Sequence, residues 1–403
     1  MKISQNARRA LMIGTLCSLS YLAVYVARNI LSAVTPQIVE SGAYTDAFIG
    51  EISFLYFMCY AIGQLINGAI GDKIHAKYMI SLGLLFAGIT SVVFPYLGEY
   101  PGGATAVYGM TGFFLSMIYG PMTKIVSENT DPIHATRCSL GYTFASFLGS
   151  PAAGLLAAFL TWQSVFLTGG TLLVVMAVIC FVFFAIFERK GIVRYGQYQK
   201  KEKGSGNIKA LLEREIVKFS LISILTGVVR TSVVFWLPTY ISQHLGFSPQ
   251  EAATIFTVAT LAISLSAFLS VFAYELMGYN MNRTVLLMFS VAAVFFLLTY
   301  FVQVSAINIV CIVIAIMGSN GAASMLWSRY CPSLRDTGMV SSATGFLDFL
   351  SYMAAAIANL IFPGAVASIG WGNLVLVWFF IVLFGVLISL PYGNLCGKRR
   401  RRS

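Results

Sequence analysis

The sequence predicts an all-α membrane protein, with twelve transmembrane helices in two pseudo-symmetric six-helix bundles. Three observations predict it. Hydrophobic residues make up 58% and charged residues only 10% of the 403 positions, and the mean hydropathy is +0.81, which places the chain in the membrane class. Twelve apolar stretches are each long enough to cross ~30 Å of hydrocarbon. An arginine inside the first of them, Arg28 with Pro36 eight residues on, is echoed by Arg230 and Pro238 in the second half of the chain. A helix-opening signal follows each proline, Thr45-Asp46 in the first case and Ser248-Pro249 in the second.

The spans lie at approximately 10–38, 47–71, 77–97, 103–125, 137–161, 163–187, 215–243, 250–275, 284–303, 305–328, 338–366 and 370–393. Twelve crossings put both termini on one side. Of the 26 lysines and arginines, Arg28 and Arg230 lie within spans. The others fall at the termini, in the loops between spans 2–3, 4–5, 6–7, 8–9 and 10–11, or at the span ends bordering them. The opposite loops carry none, so the basic side is predicted to be cytoplasmic. The expectation is a multi-pass protein of the inner (plasma) membrane with both termini in the cytoplasm. The net charge of +11 is accounted for by this orientation, and no nucleic-acid partner is expected. The terminal Lys398–Arg402 run reads as a topology anchor that would meet membrane lipid.

In span 1, Tyr21, Tyr25 and Arg28 follow at steps of four and three, which aligns them on one helical face. A guanidinium keeps its charge in a protein, and hydrocarbon penalises that charge by a few kcal/mol or more, so Arg28 is predicted to face a bundle interior or a wet cavity. The two tyrosines lie deeper than the interfacial aromatic belt; cavity-facing hydroxyls are the favoured reading, interfacial anchors the other. The basic N-terminus and apolar run resemble a signal peptide, but the run continues through Arg28, which predicts an uncleaved first helix.

Span 2 ends in Gly68-Ala-Ile-Gly-Asp72-Lys73. This resembles the loop signature of the major facilitator superfamily, with His75 and Ala76 as departures. Glycine allows close helix approach, and the aspartate suits a neighbouring helix N-terminus. Gly68, Asp72 and Lys73 are expected to serve gating and structure. Spans 4 and 5 carry Tyr119-Gly-Pro121, Gly141-Tyr142 and Gly149-Ser-Pro151; spans 10 and 11 repeat small residues at Asn320-Gly-Ala-Ala and Ala354-Ala-Ala356. Small residues let membrane helices pack closely, and the prolines are kink candidates.

Residues 188–214 form the longest polar stretch and read as a cytoplasmic linker with a short helix at Ile208–Arg214. The expected domains are therefore 1–187, the linker 188–214, and 215–403. Asp348, about ten residues into span 11, is the conspicuous intramembrane acid. It could pair with an arginine, carry a transported proton, or sit protonated against neighbouring helices. Glu51 and Glu251 read as helix-start carboxylates. The seven cysteines form no outer-loop pair, so neither a disulfide framework nor a metal site is expected. No P-loop, GxGxxG or H-E-x-x-H pattern occurs. The chain reads as no enzyme, with no cofactor.

With these residues laid out, the sequence resembles the organophosphate:phosphate antiporter family of that superfamily over nearly its whole length, which implies the major facilitator fold. The matches are Tyr21, Tyr25, Arg28 and Asn29 in span 1, Tyr60 to Gly68 in span 2, Arg230 with Trp236-Leu-Pro-Thr-Tyr240 in span 7, and Gly345-Phe346 with Tyr352 in span 11. The resemblance implies that Arg28 and Arg230 ligate phosphate and that Tyr21, Tyr25, Tyr60 and Tyr352 line the cavity. It also marks departures. Asn29 and Phe235 stand where members often carry a lysine and an aspartate, Ser146 where a histidine is used, Gln64 for a lysine and Asn320 for a tyrosine; Gln64, Ser146 and Asn320 are expected to bind substrate at those positions. Asp348 replaces a small residue. The phosphate clamp is kept while the pocket for the organic group is rebuilt.

The resulting expectation is a monomeric carrier of a small organic anion, most favoured as an organophosphate exchanged for inorganic phosphate by alternating access. The alternatives are a proton-coupled carboxylate carrier and a sugar-phosphate sensor that does not transport.

Overall fold

The computed structural model describes residues 5–71, 74–98, 100–195, 208–334 and 340–390, and these are helical almost throughout. Ten of the described helices are long and apolar enough to cross a membrane. The two further crossings that the sequence predicts are present in altered form. Helix α16, Val340–Ser389, runs for 50 residues. A straight helix of that length would span ~75 Å, more than twice the hydrocarbon thickness. It is divided at Gly370, whose φ of 76° takes the chain out of the helical region. The fourth predicted span is broken into α4, Pro101–Ser116, and α5, Tyr119–Asn129. The break at Met117-Ile118 lies just before Pro121, which has no N–H to return to residue 117 and would crowd its carbonyl.

The chain divides into two units. The first contains residues 1–202 together with 235–261 and 356–364. Its helices are α1, Gln5–Glu40; α2, Asp46–Gly71; α3, Ala76–Val93; α4 and α5; α6, Pro132–Phe159; and α7, Trp162–Arg189. The start signals act as read: Thr45 Oγ1 accepts the Phe48 N–H (3.3 Å) ahead of α2. Ser248 and Glu251 form a reciprocal capping box ahead of α11, Pro249–Ser264.

Small residues set the packing inside this unit. A methyl on Gly149 of α6 would come within 2.7 Å of the Tyr25 carbonyl carbon on α1. One on Gly50 would meet the Asn359 carbonyl oxygen at 2.8 Å. The segment from Phe235 is tied in by Ser32 Oγ, which donates to the Phe235 carbonyl (2.6 Å), and by Gln243, which donates to Asp46 (2.8 Å).

The polar stretch after α7 begins as fixed structure. Arg9 donates to the Ile192 and Gly191 carbonyls and to Asn129 Oδ1. Lys77 pairs with Glu188, and Tyr195 donates to the same carboxylate (2.6 Å). Residues 188–195 thus fold back on the end of the helices, and 196–207 lie outside the described residues.

The second unit contains residues 203–234, 262–355 and 365–403. It includes the short helix α8, Ile208–Glu213, where a helix is predicted, then α9, Ile216–Gly227, and a π-helical turn, Val228–Val233; α10, Val234–Gln243, follows and belongs to the first unit from Phe235 on. It continues with α12, Ser266–Leu276; α13, Met281–Phe301; and α14, Ser305–Met325, followed by a second π turn, Leu326–Tyr330, and α15, Cys331–Ser333. Most of α16 completes it.

Candidate functional site

Arg28 lies in the apolar middle of α1 with 9% of its surface exposed. Its guanidinium carbon sits over three rings, Tyr60 at 5.0 Å, Tyr25 at 5.4 Å and Phe57 at 5.5 Å. Each ring face is the negative end of an aromatic quadrupole, and a desolvated contact contributes up to about 2 kcal/mol. Three such contacts offset a penalty of a few kcal/mol for a membrane-buried arginine. The cage follows from local spacing: Tyr25 is three residues from Arg28, and Phe57 and Tyr60 are three apart on one face of α2. Tyr60, expected to line the cavity, is thereby brought over Arg28. Phe57 was missed, although its step of three from Tyr60 was a readable signal.

Tyr21 extends this face of α1. Its ring packs on Tyr25 (4.9 Å), on Tyr119 of α5 (5.5 Å) and on Tyr142 of α6 (6.0 Å). Tyr119 and Tyr142 meet each other at 6.2 Å. Four tyrosines from three helices thus form a continuous patch leading from Arg28. The close approach at Gly149 sets the position of Tyr25 within it.

The departures from the family pattern have structural explanations. Asn29 turns back to donate to the Tyr25 carbonyl of its own helix (2.6 Å). Phe235 packs edge-on against Phe57 (6.5 Å). Neither position needs a charge partner, so loss of the lysine and the aspartate leaves no orphaned ion. Ser146 donates to Thr143 O within α6 (2.6 Å). Gln64 is half-buried on α2, one turn beyond Tyr60. Gly68 falls in α2, while Asp72 and Lys73 lie outside the described residues.

In the second unit, Arg230 occupies the π turn. The reason is a register between its helix and α16. Ser223 Oγ donates to Leu347 O (2.7 Å), and a methyl on Gly227 would come within 2.8 Å of Ser351 Cα. Ser232 Oγ then donates to Ala355 O (2.8 Å). On α16 the contacts advance by four and four; on the partner they advance by four, then five. The extra residue is absorbed between Gly227 and Ser232, where Arg230 sits. π turns of this kind often mark functional positions, because the added residue must earn its place against poorer hydrogen bonding.

The same ladder sets the heights of the other predicted residues. Arg230 is level with Met353, next to the buried Tyr352. Asp348 is five residues below that level, about 7 Å along the axis. It shares a face of α16 with Tyr352, one turn away. Asn320 of α14 donates to Ser266 Oγ at the start of α12 (2.9 Å).

The chain is similar over most of its length to known membrane proteins. The family model described as Major Facilitator Superfamily matches residues 17–359. The phosphoglycerate transporter protein of Salmonella typhimurium is 23% identical, covering 93% of this chain and 86% of its own length. The membrane sensor protein UhpC of Escherichia coli is 20% identical, covering 93% and 90%. Among solved structures, a bacterial homolog of the human lysosomal transporter Spinster superposes with a TM-score of 0.76 at 14% identity, over 96% of this chain and 97% of that one.

Proposed function

The chain belongs to the Major Facilitator Superfamily and is a multi-pass membrane transporter, and from that premise we propose that it exchanges an organophosphate for inorganic phosphate, with Arg28 and Arg230 as the anion ligands. The observation that carries the proposal is the Arg28 cage. Its rings engage the guanidinium group at close range, and guanidinium donors lie in the plane of the group in a fixed fork that suits phosphate oxygens. A cation held this way in the apolar part of a helix is ready for an anion. Arg230, on its π turn, supplies the corresponding charge from the second half. A phosphorylated cargo is supported by the relative named a phosphoglycerate transporter, and exchange for phosphate is implied by the family resemblance. In this reading residues 1–187 and 215–403 are the two moving bundles, a monomer suffices, both termini are cytoplasmic, and the protein resides in the inner membrane.

A second reading draws on one observation. Asp348 and Tyr352 on one face of α16 put an acid one turn from the tyrosine that borders the Arg230 level, as a proton-coupled carrier of organic anions would need. Purified protein in liposomes separates the two. Counterflow of labelled phosphate against internal phosphate, unaffected by a pH gradient, supports exchange; Arg28→Gln and Arg230→Gln abolish it. Transport that persists in both variants overturns the arginine assignment. Uptake that follows the pH gradient and is lost in Asp348→Asn establishes the second reading, and robust transport of either kind excludes a purely sensory role.

A further inference from the structure

We propose that Asn359 sets how readily one end of the bundle opens: its side-chain amide is buried unbonded where α2, α10 and α16 close on one another, and so holds that closed seal short of full stability. This requires only that the chain is a transporter, whatever anion it carries.

The register between α10 and α16 places the residue. Ser232 of the π turn meets Ala355 of α16, so one further turn on each helix brings Trp236 level with Asn359. From another side α2 comes in close: a methyl on Gly50 would lie 2.8 Å from the Asn359 carbonyl oxygen and 2.9 Å from Pro363 Cγ. Gly50, Trp236 and Asn359 all belong to the first unit. They lie towards the end of α2 that follows the uncharged loop 41–45.

At this level polar groups are buried without partners. Asn359 interrupts an apolar run, Ala354-Ala-Ala-Ile-Ala-Asn-Leu-Ile-Phe362, and is 0% exposed. Neither its Nδ2 nor its Oδ1 has a hydrogen-bond partner in the protein. The same holds for Trp236 Nε1 and, one turn on along α10, for Thr239 Oγ1, both fully buried. At the start of α2, Asp46 takes the Gln243 amide on Oδ2 but leaves Oδ1 buried and unbonded.

A buried amide without a partner loses its hydration and gains no bond in return, whereas an apolar side chain would fill the space without that penalty. Polar residues inside membrane segments are kept for function more than for packing. Alternating access supplies the function. A carrier passes between arrangements of similar energy, and a seal that is too stable traps one of them. When α2 parts from α10 and α16, water reaches these groups and bonds them, so they favour opening. Asn359 has the largest effect, because donor and acceptor of one amide are both unbonded.

The test combines hydrogen–deuterium exchange and thermal unfolding of the purified full-length protein with phosphate counterflow in liposomes. Asn359→Leu keeps the branched shape and removes the amide; Thr239→Val keeps the shape and removes one hydroxyl. In Asn359→Leu, exchange in peptides covering 234–243 and 352–363 slows about tenfold, the scale of one relieved buried polar group. Its Tm rises and its counterflow slows. Thr239→Val moves all three in the same direction by less. Asn359→Ala, too small to clash, slows exchange in the same peptides and so controls for overpacking. A side chain that only braced the seal would do the opposite, its removal lowering Tm and speeding exchange. If Asn359→Ala and Thr239→Val both speed exchange and lower Tm, these groups are bonded in the closed seal, by buried water or otherwise, and Asn359 does not favour opening. Unchanged exchange in all three variants refutes that role as well. If the wild type shows no phosphate counterflow, the phosphate reading fails, and exchange and Tm still decide the role of Asn359.

Discussion

Gly149→Ala adds one methyl group at the contact that positions Tyr25. That methyl would lie 2.7 Å from the Tyr25 carbonyl carbon and 3.0 Å from its Cα. Ordinary contact begins at 3.4 Å and the Tyr25 Cβ is nearer still, so α1 and α6 must separate by more than about 0.7 Å. The obstacle is backbone, so no rotamer change relieves it. Overpacking of this kind costs about 1–3 kcal/mol. At roughly 2–4 °C per kcal/mol for a body of 150–250 residues, Tm falls by about 2–12 °C. The displacement moves Tyr21, Tyr25 and Arg28 together with α1, shifting Tyr21 relative to Tyr142 of α6 and Arg28 relative to Phe57 and Tyr60 of α2, so affinity for phosphate falls as well. The assay is thermal unfolding in detergent with and without phosphate. Gly364→Ala on α16 serves as the comparison, because nothing lies within 4 Å of its added methyl; alanine there leaves Tm unchanged or slightly higher. If Gly149→Ala unfolds at the wild-type temperature and binds phosphate normally, Gly149 does not position Tyr25, and the account of how the cage is held is wrong.

Two further outcomes follow from single contacts. Phe57→Leu keeps an apolar side chain of similar bulk but removes one ring from Arg28, weakening phosphate binding about three- to tenfold, on the scale of one cation–π contact; an unchanged Kd would mean that Phe57 only fills space. Tyr195 lies beyond the last turn of α7, where burial first, and then its bond to the Glu188 carboxylate, raise its phenol above the ordinary range. Its neutral form is favoured in the folded state, so its stabilising contribution is complete below pH ~10 and is lost as pH rises through the folded value. Tm measured from about pH 8 to 11 therefore falls at the alkaline end in the wild type, and Tyr195→Phe flattens that fall; parallel curves would remove Tyr195 from the clasp.

What could be read from the sequence was what is local along a helix. Arg28 stood out because an obligatory cation interrupts an apolar run, and its alignment with Tyr21 and Tyr25 followed from steps of three and four. The helix starts at Thr45 and Ser248 were legible for the same reason, since a cap bonds to its own next turn. The contributions of Phe57, Tyr119 and Tyr142 depend on which helices lie side by side, and that is set by glycine contacts between distant segments. The clasp at 188–195 was hidden by composition. Its stretch is polar like a linker, and only the convergence of Arg9, Asn129 and Lys77 from three helices fixes it.

The π turn at Arg230 connects these two kinds of information. Apart from Arg230 itself, nothing in Val228–Val233 is unusual for a membrane helix, and the sequence there predicts ordinary α-helix. The turn becomes necessary only because Ser223, Gly227 and Ser232 must meet Leu347, Ser351 and Ala355 on α16, and an α-helix cannot advance four and then five residues against a partner advancing four and four. Had the added residue been placed elsewhere, Arg230 would keep its position in the sequence yet turn by about 100° around the helix. The identity of the cation can thus be read from the chain, but its direction is set by the packing of a second helix 123–124 residues downstream. An arginine aimed by interhelical contacts is re-aimed when those contacts shift, so the orientation of this charge is tied to the packing of α16.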